Sequence, residues 1–249
     1  MRWIKRLSIL GLIGALVITS GLAWVLFGKY KSAYSETLAI RLDPIGASEA
    51  EPLVFTDGRP TAMIFGDSRA RQWKLPKLEG WQLVTNGIVG QTTAQARLRF
   101  PETLSNGPQV VVLQMGINDL KAIGVFPERR AAIVEAVKSN ISAMVDQATA
   151  AKAAVVVTSI MPIGKVGLTR KLVWSNDIET ARRETNTWLS KLNKPGVSFL
   201  DLEPLLAVNN TLDPAIARDT LHLTEAGYGR LDKALISAIK STGAIWFKL

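Results

Sequence analysis

Ala62-Met63-Ile64-Phe65-Gly66-Asp67-Ser68-Arg69-Ala70 is the stretch on which the reading of this chain turns. Four consecutive apolar residues have the length of a strand, and unbroken rather than alternating apolarity suits a strand covered on both faces, as in a parallel sheet. Gly66 ends the run, and a serine follows two residues later at the expected carboxyl end of the strand. Four more runs of this kind occur downstream: Gln82–Val84, Val110–Met115, Ala154–Ile160 and Val197–Leu200. Between them lie helical stretches. Glu128–Ala150 is the clearest, with Ile133, Val137, Ile141, Met144 and Val145 at spacings of three and four. Asn176–Leu192 and Thr224–Ile239 are the others, the last with Thr224 as its N-cap. Strand and helix alternating in this way predict a doubly wound α/β sandwich, whose active site lies at the carboxyl ends of the strands.

The residues at those ends form a set. Ser68 follows the first strand and Asn86-Gly87-Ile88-Val89-Gly90-Gln91-Thr92 the second; Met115-Gly116-Ile117-Asn118-Asp119 closes the third, and Asp219-Thr220-Leu221-His222-Leu223 precedes the last helix. Taken singly, Ser68 reads as an N-cap, Gly90 as a turn glycine, Asn118 as a capping residue and His222 as an ordinary histidine. Taken jointly they suit acyl transfer. A serine hydroxyl needs a base to take its proton, and His222, the only histidine, is the one side chain with a pKa near working pH. Asp219, three residues earlier, is placed to hold the other imidazole nitrogen and stabilise the imidazolium. The amide of Ser68, the amide of Gly90 and the side chain of Asn118 are candidate donors to an oxyanion, and the absence of a Cβ at Gly90 lets backbone approach a ligand closely.

These four segments resemble, in order and spacing, the motifs of the SGNH (GDSL-type) hydrolase superfamily, from about Thr61 to the last helix. The family's serine, glycine, asparagine and histidine fall on Ser68, Gly90, Asn118 and His222, and its Asp-x-x-His aspartate on Asp219. The resemblance implies a flavodoxin-like three-layer sandwich with a five-stranded parallel sheet, and a serine esterase or acyltransferase needing no metal or cofactor. Arg69 departs from the common form, which has leucine after Gly-Asp-Ser; its side chain is expected at the border of the cleft. Gly66-Asp67-Ser68-Arg69-Ala70 also nearly fits the nucleophile elbow of α/β-hydrolases, but that fold requires several strands before its serine, and here only one precedes it.

Ahead of this domain the chain carries a membrane signal. Arg2, Lys5 and Arg6 precede 21 uncharged residues, Leu7–Phe27, enough for a helix of about 30 Å, the thickness of a bilayer's hydrocarbon core. An uncleaved anchor over residues 1–28 is the expectation, with a signal peptide cleaved near Gly21-Leu22-Ala23 as the alternative. Both put the rest of the chain on the extracytoplasmic side, as a single-pass membrane protein in the first case. Residues 29–60, rich in turn residues, are expected to form a stalk that becomes an edge segment, with Leu53-Val54-Phe55 as a short strand; residues 61–249 then form the catalytic domain.

Composition narrows the remaining options. Among 249 residues, 47% are hydrophobic and 20% charged, which excludes a disordered chain. The lack of cysteine excludes disulfides and thiolate chemistry, and one histidine excludes a multi-histidine metal site. Of the net charge of +9, three units belong to Arg2, Lys5 and Arg6; no acid lies in residues 1–27, so the remainder carries +6. No nucleic-acid-binding motif accompanies it, and no nucleic-acid partner is expected. Arg69, Arg71, Arg97 and Arg99 read as solvated helix-face residues, with an anion-binding margin as the alternative. The loop Met161–Ser175, with Lys165, Arg170, Lys171 and Trp174, reads as a solvated loop, with a substrate-contacting lip as the alternative. The sequence thus points to a membrane-anchored serine esterase acting on an ester-bearing small molecule, lipid or glycan. A carbohydrate O-acetyltransferase with the same triad is one rival, and an inactive binding or scaffold protein of the envelope is another.

Overall fold

The computed structural model describes residues 2–53, 55, 58–192 and 194–246. It falls into two units, residues 1–44 and 45–249. The first is essentially one helix, α1 (Arg2–Leu42), which continues well past Phe27 and makes helix of much of the expected stalk. Its side chains from Ser8 onward are exposed throughout, and it is long and apolar enough to cross a membrane. Residues 28–42 continue it because they contain no proline and no helix-breaking cluster after Gly28, while Asp43-Pro44 supplies the stop. The proposed strand at Leu53-Val54-Phe55 includes Val54, which lies outside the described residues.

The second unit is built on five parallel strands: β1 (Thr61–Gly66), β2 (Gln82–Gly87), β3 (Val110–Gln114), β4 (Ala154–Thr158) and β5 (Val197–Leu200). Their order is β2-β1-β3-β4-β5. Ala62 pairs with Val110 and Leu83, and Val155 with Val111 and Val197. The chain crosses from β2 over β1 to β3, so the topological switch point lies between β1 and β3, the place where folds of this kind bind ligands at the carboxyl ends of the strands.

Alternation along each strand feeds two cores. Met63, Phe65, Val111, Leu113, Val155 and Val157 face one layer, made by α3 (Thr93–Leu104), α5 (Arg130–Ala150) and α7 (Asp177–Leu189). Ile64, Val110, Val112 and Val156 face the other, which includes α8 (Glu203–Leu206), α9 (Glu225–Gly229) and α10 (Asp232–Trp246). The short helices α2 (Ser68–Arg71), α4 (Ile117–Leu120) and α6 (Leu168–Lys171) follow β1, β3 and β4, and a small hairpin of β6 (Ala207–Val208) and β7 (Thr211–Leu212) follows α8. This is the three-layer α/β sandwich expected from the strand pattern. Strand ends shift by up to three residues from the sequence reading. The expected helix over 224–239 divides into α9 and α10, with the Thr224 hydroxyl capping α9 by accepting from Gly227 N at 3.2 Å.

Two strand ends come together with little room. A Cβ at Gly66 would stand 1.9 Å from the backbone oxygen of Gln114, so β1 and β3 can meet there only around a glycine. The chain turns out of β1 at that point and starts α2 with Ser68.

Candidate active site

Ser68 stands at the first position of α2. Asp67, just before it, caps that helix by accepting Arg69 N–H at 2.9 Å. Capping fixes the turn, so the serine is presented by rigid backbone rather than by a loop. Its hydroxyl lies 3.0 Å from His222 Nε2. His222 arrives from a turn 154 residues away. Its carbonyl accepts from Arg218 N at 2.8 Å and Asp219 N at 3.4 Å, and Thr224 N donates to Ile216 O at 2.9 Å. This closed turn brings Asp219 back onto the histidine: Nδ1 lies 2.8 Å from Asp219 Oδ2 and 3.0 Å from Oδ1. Asp219 Oδ1 also accepts the backbone N–H of Leu221 at 2.8 Å and of His222 at 3.0 Å. With the carboxylate acceptor on Nδ1, that nitrogen carries the hydrogen and Nε2 is left to accept from Ser68.

Electrostatics follow from this placement. Partial burial works to raise the pKa of Asp219, but the N–H of Leu221, the His222 ring and the N–H of His222 outweigh it and hold the carboxyl at about 2. Burial lowers the pKa of His222; the carboxylate of Asp219 opposes the fall, and the charges of Arg69 and Arg218 add to it. The imidazole is therefore neutral, and able to accept a proton, at a lower pH than a free histidine.

The other two candidates occupy the neighbouring loops. Gly90 has φ +74°, which favours glycine, and open space where a Cβ would point. Asn118, in α4, donates from Nδ2 to the backbone oxygen of Gln91 at 3.0 Å, which fastens it to the residue after Gly90. An amide nitrogen carries two hydrogens, so one remains for a ligand. Among the described residues, the backbone N–H groups of Ser68 and Gly90 form no hydrogen bond.

Three residues, Asp119, Arg99 and Arg69, take supporting places that the sequence reading did not give them. Asp119 accepts from Thr93 N at 2.9 Å and from Thr93 Oγ1 at 2.7 Å, joining the Asn118 segment to the start of α3. Burial raises its pKa, and the Thr93 bonds act against the rise. Arg99 is buried and spans the same region: Nε donates to Gln91 Oε1 at 2.9 Å, Nη2 to Asn86 O at 3.1 Å, and Nη1 to Asn86 Oδ1. Its guanidinium lies 4.1 Å from the centre of the Phe65 ring, and burial lowers its pKa to about 10. Arg69 is wholly buried as well, so neither arginine sits on a solvated helix face or at an anion-binding margin. The donors of Arg99 go to carbonyl and amide oxygens of the protein. Arg69 donates from Nε and Nη1 to carbonyl oxygens, while its Nη2 is buried without a hydrogen-bond partner among the described residues. Arg71 and Arg97 are exposed.

The loop after β4 adjoins the histidine turn. Gly164 N donates to Thr220 O at 2.8 Å, and Thr220 Oγ1 to Lys165 O at 3.0 Å. Beyond Lys165, Leu168 and Leu172 are strongly exposed, and the Arg170 guanidinium lies 5.7 Å from the Trp174 ring centre. No cluster of three side chains able to hold a metal occurs among the described residues.

Comparison with known proteins agrees with this architecture. The family model of the GDSL-like lipase/acylhydrolase family matches residues 55–230. A GDSL-like lipase from Bacteroides thetaiotaomicron is similar at 25% identity and TM-score 0.58, over 81% of this chain and 96% of that one. A lipase/acylhydrolase from Enterococcus faecalis shares 18% identity at TM-score 0.53, over 73% and 96% of the two chains. An acetyl xylan esterase shares 20% identity at TM-score 0.53, over 72% and 99%. A search among curated proteins returned no match. With its model matched over residues 55–230, and a shared overall fold with a GDSL-like lipase, the chain belongs to the GDSL-like lipase/acylhydrolase family of serine hydrolases.

Proposed function

We propose that the protein is a membrane-anchored, extracytoplasmic esterase in which Ser68, His222 and Asp219 act as a catalytic triad. The observation that carries the proposal is the pair of hydrogen bonds on one imidazole, Nε2 to Ser68 Oγ at 3.0 Å and Nδ1 to Asp219 at 2.8 Å. Ser68 Oγ attacks the ester carbonyl carbon while its proton passes to His222 Nε2; Asp219 stabilises the resulting imidazolium. The oxyanion accepts from Ser68 N–H, Gly90 N–H and the second hydrogen of Asn118 Nδ2. When the intermediate collapses, the ester C–O bond breaks and His222 returns the proton to the departing alkoxide oxygen. Water, deprotonated by His222, then attacks the acyl-serine, releasing the acid and restoring Ser68. The N-terminal helix, with three cations before its apolar run, supports anchoring with the amino terminus on the cytoplasmic side. Ester-bearing lipids, glycans and small molecules are the substrate class, and an acetyl ester of a glycan is favoured by the likeness to an acetyl xylan esterase.

A fluorophosphonate probe tests the triad directly. It is expected to label Ser68, with labelling lost in Ser68→Ala and strongly reduced in His222→Ala. Folded wild-type protein that stays unlabelled overturns the proposal. Hydrolysis of a small acetyl ester, measured with and without an added glycan acceptor, separates water from a sugar hydroxyl as the acyl acceptor. Extraction of the full chain from membranes by detergent, and not by high salt or alkali, tests the anchor.

A further inference from the structure

We infer that Arg69 is a positioning residue for the reaction: its buried guanidinium ties the turn carrying His222 to the segment carrying Ser68 and so sets the distance across which the proton moves. The inference rests on the triad reading above and adds a residue to it.

Arg69 follows Ser68 directly, and its Nε donates to the backbone oxygen of Leu221 at 2.7 Å. Leu221 directly precedes His222. Serine and base are therefore closed into a ring through two non-covalent bonds, Arg69 Nε to Leu221 O and Ser68 Oγ to His222 Nε2. A more distant bond from Arg218 Nη2 to Gln72 Oε1 at 3.0 Å joins the same two segments. Nη1 donates to Met161 O at 3.1 Å, so the same planar fork also fixes the loop after β4. Arg69 is itself held by Tyr228, whose hydroxyl donates to Arg69 O at 3.0 Å, and by Asp67, which accepts its N–H.

The residue carries a charge into a place with no exposure, and among the described residues no carboxylate lies within ion-pairing distance of it. Its Nη2 is left without a partner, and the Asp67 charge acts on it without a direct bond to the guanidinium. Burying a cation whose side-chain hydrogen bonds go only to carbonyl oxygens in this way is a poor way to stabilise a fold. A leucine, the usual residue of the family at this position, fills such a site without that cost but offers no donor. What the arginine adds is aim: two donors of one rigid group on two loops that flank the base.

The groups that face this pair are few. Asp67, Tyr228, Arg182 and Asp219 act on Arg69, and Asp219, Arg69 and Arg218 act on His222, with Ser68 on Nε2. Loss of the Arg69 cation removes one of the influences that depress the histidine pKa.

The test uses the full chain in detergent and compares wild type, Arg69→Leu and Arg69→Lys. Turnover of p-nitrophenyl acetate and the rate of fluorophosphonate labelling are normalised to folded protein by melting and circular dichroism. Folded Arg69→Leu is expected to lose about 10²-fold in kcat, the effect of a misplaced base, with KM little changed. The midpoint of its kcat/KM profile rises. Arg69→Lys, which keeps the charge but reaches one carbonyl, recovers part of kcat and the wild-type midpoint. A folded Arg69→Leu with wild-type kcat and midpoint overturns the inference, as does a loss of activity that only tracks loss of folded protein. If Arg69→Leu does not fold, Arg69→Lys decides: a reduced kcat at an unchanged midpoint supports the fork, and a wild-type kcat overturns it. Wild type that labels at Ser68 while the variants label equally fast removes Arg69 and leaves the triad; wild type that never labels removes both.

Discussion

Replacing Asp219 by asparagine separates the two tasks proposed for this side chain. Oδ1 accepts the backbone N–H groups of Leu221 and His222 at 2.8 and 3.0 Å, and an amide oxygen can keep both, so the turn survives. The other position changes sign. Where Oδ2 accepts from Nδ1 at 2.8 Å, asparagine offers an NH2 group, and two donors would face each other. The imidazole resolves the clash by moving its hydrogen to Nε2, which then faces Ser68 Oγ as a donor and cannot take its proton. Loss of the correct tautomer and of imidazolium stabilisation together costs about 10⁴ in kcat, or about 5 kcal/mol of transition-state stabilisation. Stability changes far less. A carboxyl held at about 2 against an ordinary 3.8 corresponds to roughly 2 kcal/mol if unscreened. With the Asp219 side chain 44% exposed, solvent screening reduces this to about 1 kcal/mol. Because the folded pKa is the lower one, this stabilisation is present above pH 3.8 and disappears as pH falls towards about 2. The assay is kcat for p-nitrophenyl acetate at pH 7 beside thermal melts at pH 7 and pH 3. A folded Asp219→Asn protein that retains more than a tenth of wild-type kcat would falsify the assignment of Asp219 as the orienting group.

Three further outcomes are expected. The kcat/KM of wild type should rise with pH and level off, with a midpoint below 6.5, because burial and two arginines depress His222; a profile flat from pH 4 to 8 removes His222 as the base. Asn118→Ala should lower kcat by about 10²–10³ through the missing oxyanion donor, with melting temperature changed by only a few degrees, and an unaltered kcat would remove Asn118 from the hole. Gly66→Ala puts a Cβ 1.9 Å from Gln114 O, so β1 and β3 must separate and the domain should fail to reach its native melting transition; a wild-type melt would show that the strand ends are looser than described.

Where the chain announced itself, it did so through runs of one character. The cores of β1, β3 and β4 are runs of apolar residues because both faces of the sheet are covered there, whereas the edge strands β2 and β5 are half-buried, carry polar residues, and were marked by shorter runs. The candidates Ser68, Gly90, Asn118, Asp219 and His222 were picked out because each follows such a run or stands just before the cap of α9. Helix α3 was not. Ala96, Phe100 and Leu104 lie four apart on its inner face, but Arg97, Arg99 and Pro101 between them break the apolar pattern, and Pro101 argues against helix. Arg99 could be buried there only because Asn86, Gln91 and Gly66 present oxygens to it, and those oxygens come from other segments. Arg69 was misread for the same reason. A charged residue reads as solvated until the acceptors that receive it are known, and its acceptors, Leu221 and Met161, are 152 and 92 residues distant. The length of α1 was also hidden, since the residues after Phe27 form helix without forming an apolar face.

The 154-residue separation of Ser68 and His222 has a consequence for how the protein comes into being. The proposed nucleophile and base enter the domain at its opposite ends, and the turn that carries His222 docks on segments that themselves follow β1 and β4. Contacts of such sequence distance close only after most of the chain is in place. On the triad proposed above, a partly folded chain holds an exposed serine with no base beside it and is inert towards esters. Hydrolytic activity would then be the last property to appear in refolding, after helix content and burial of the sheet. Ester turnover thereby becomes a reporter of the final docking step, timed by the molecule itself.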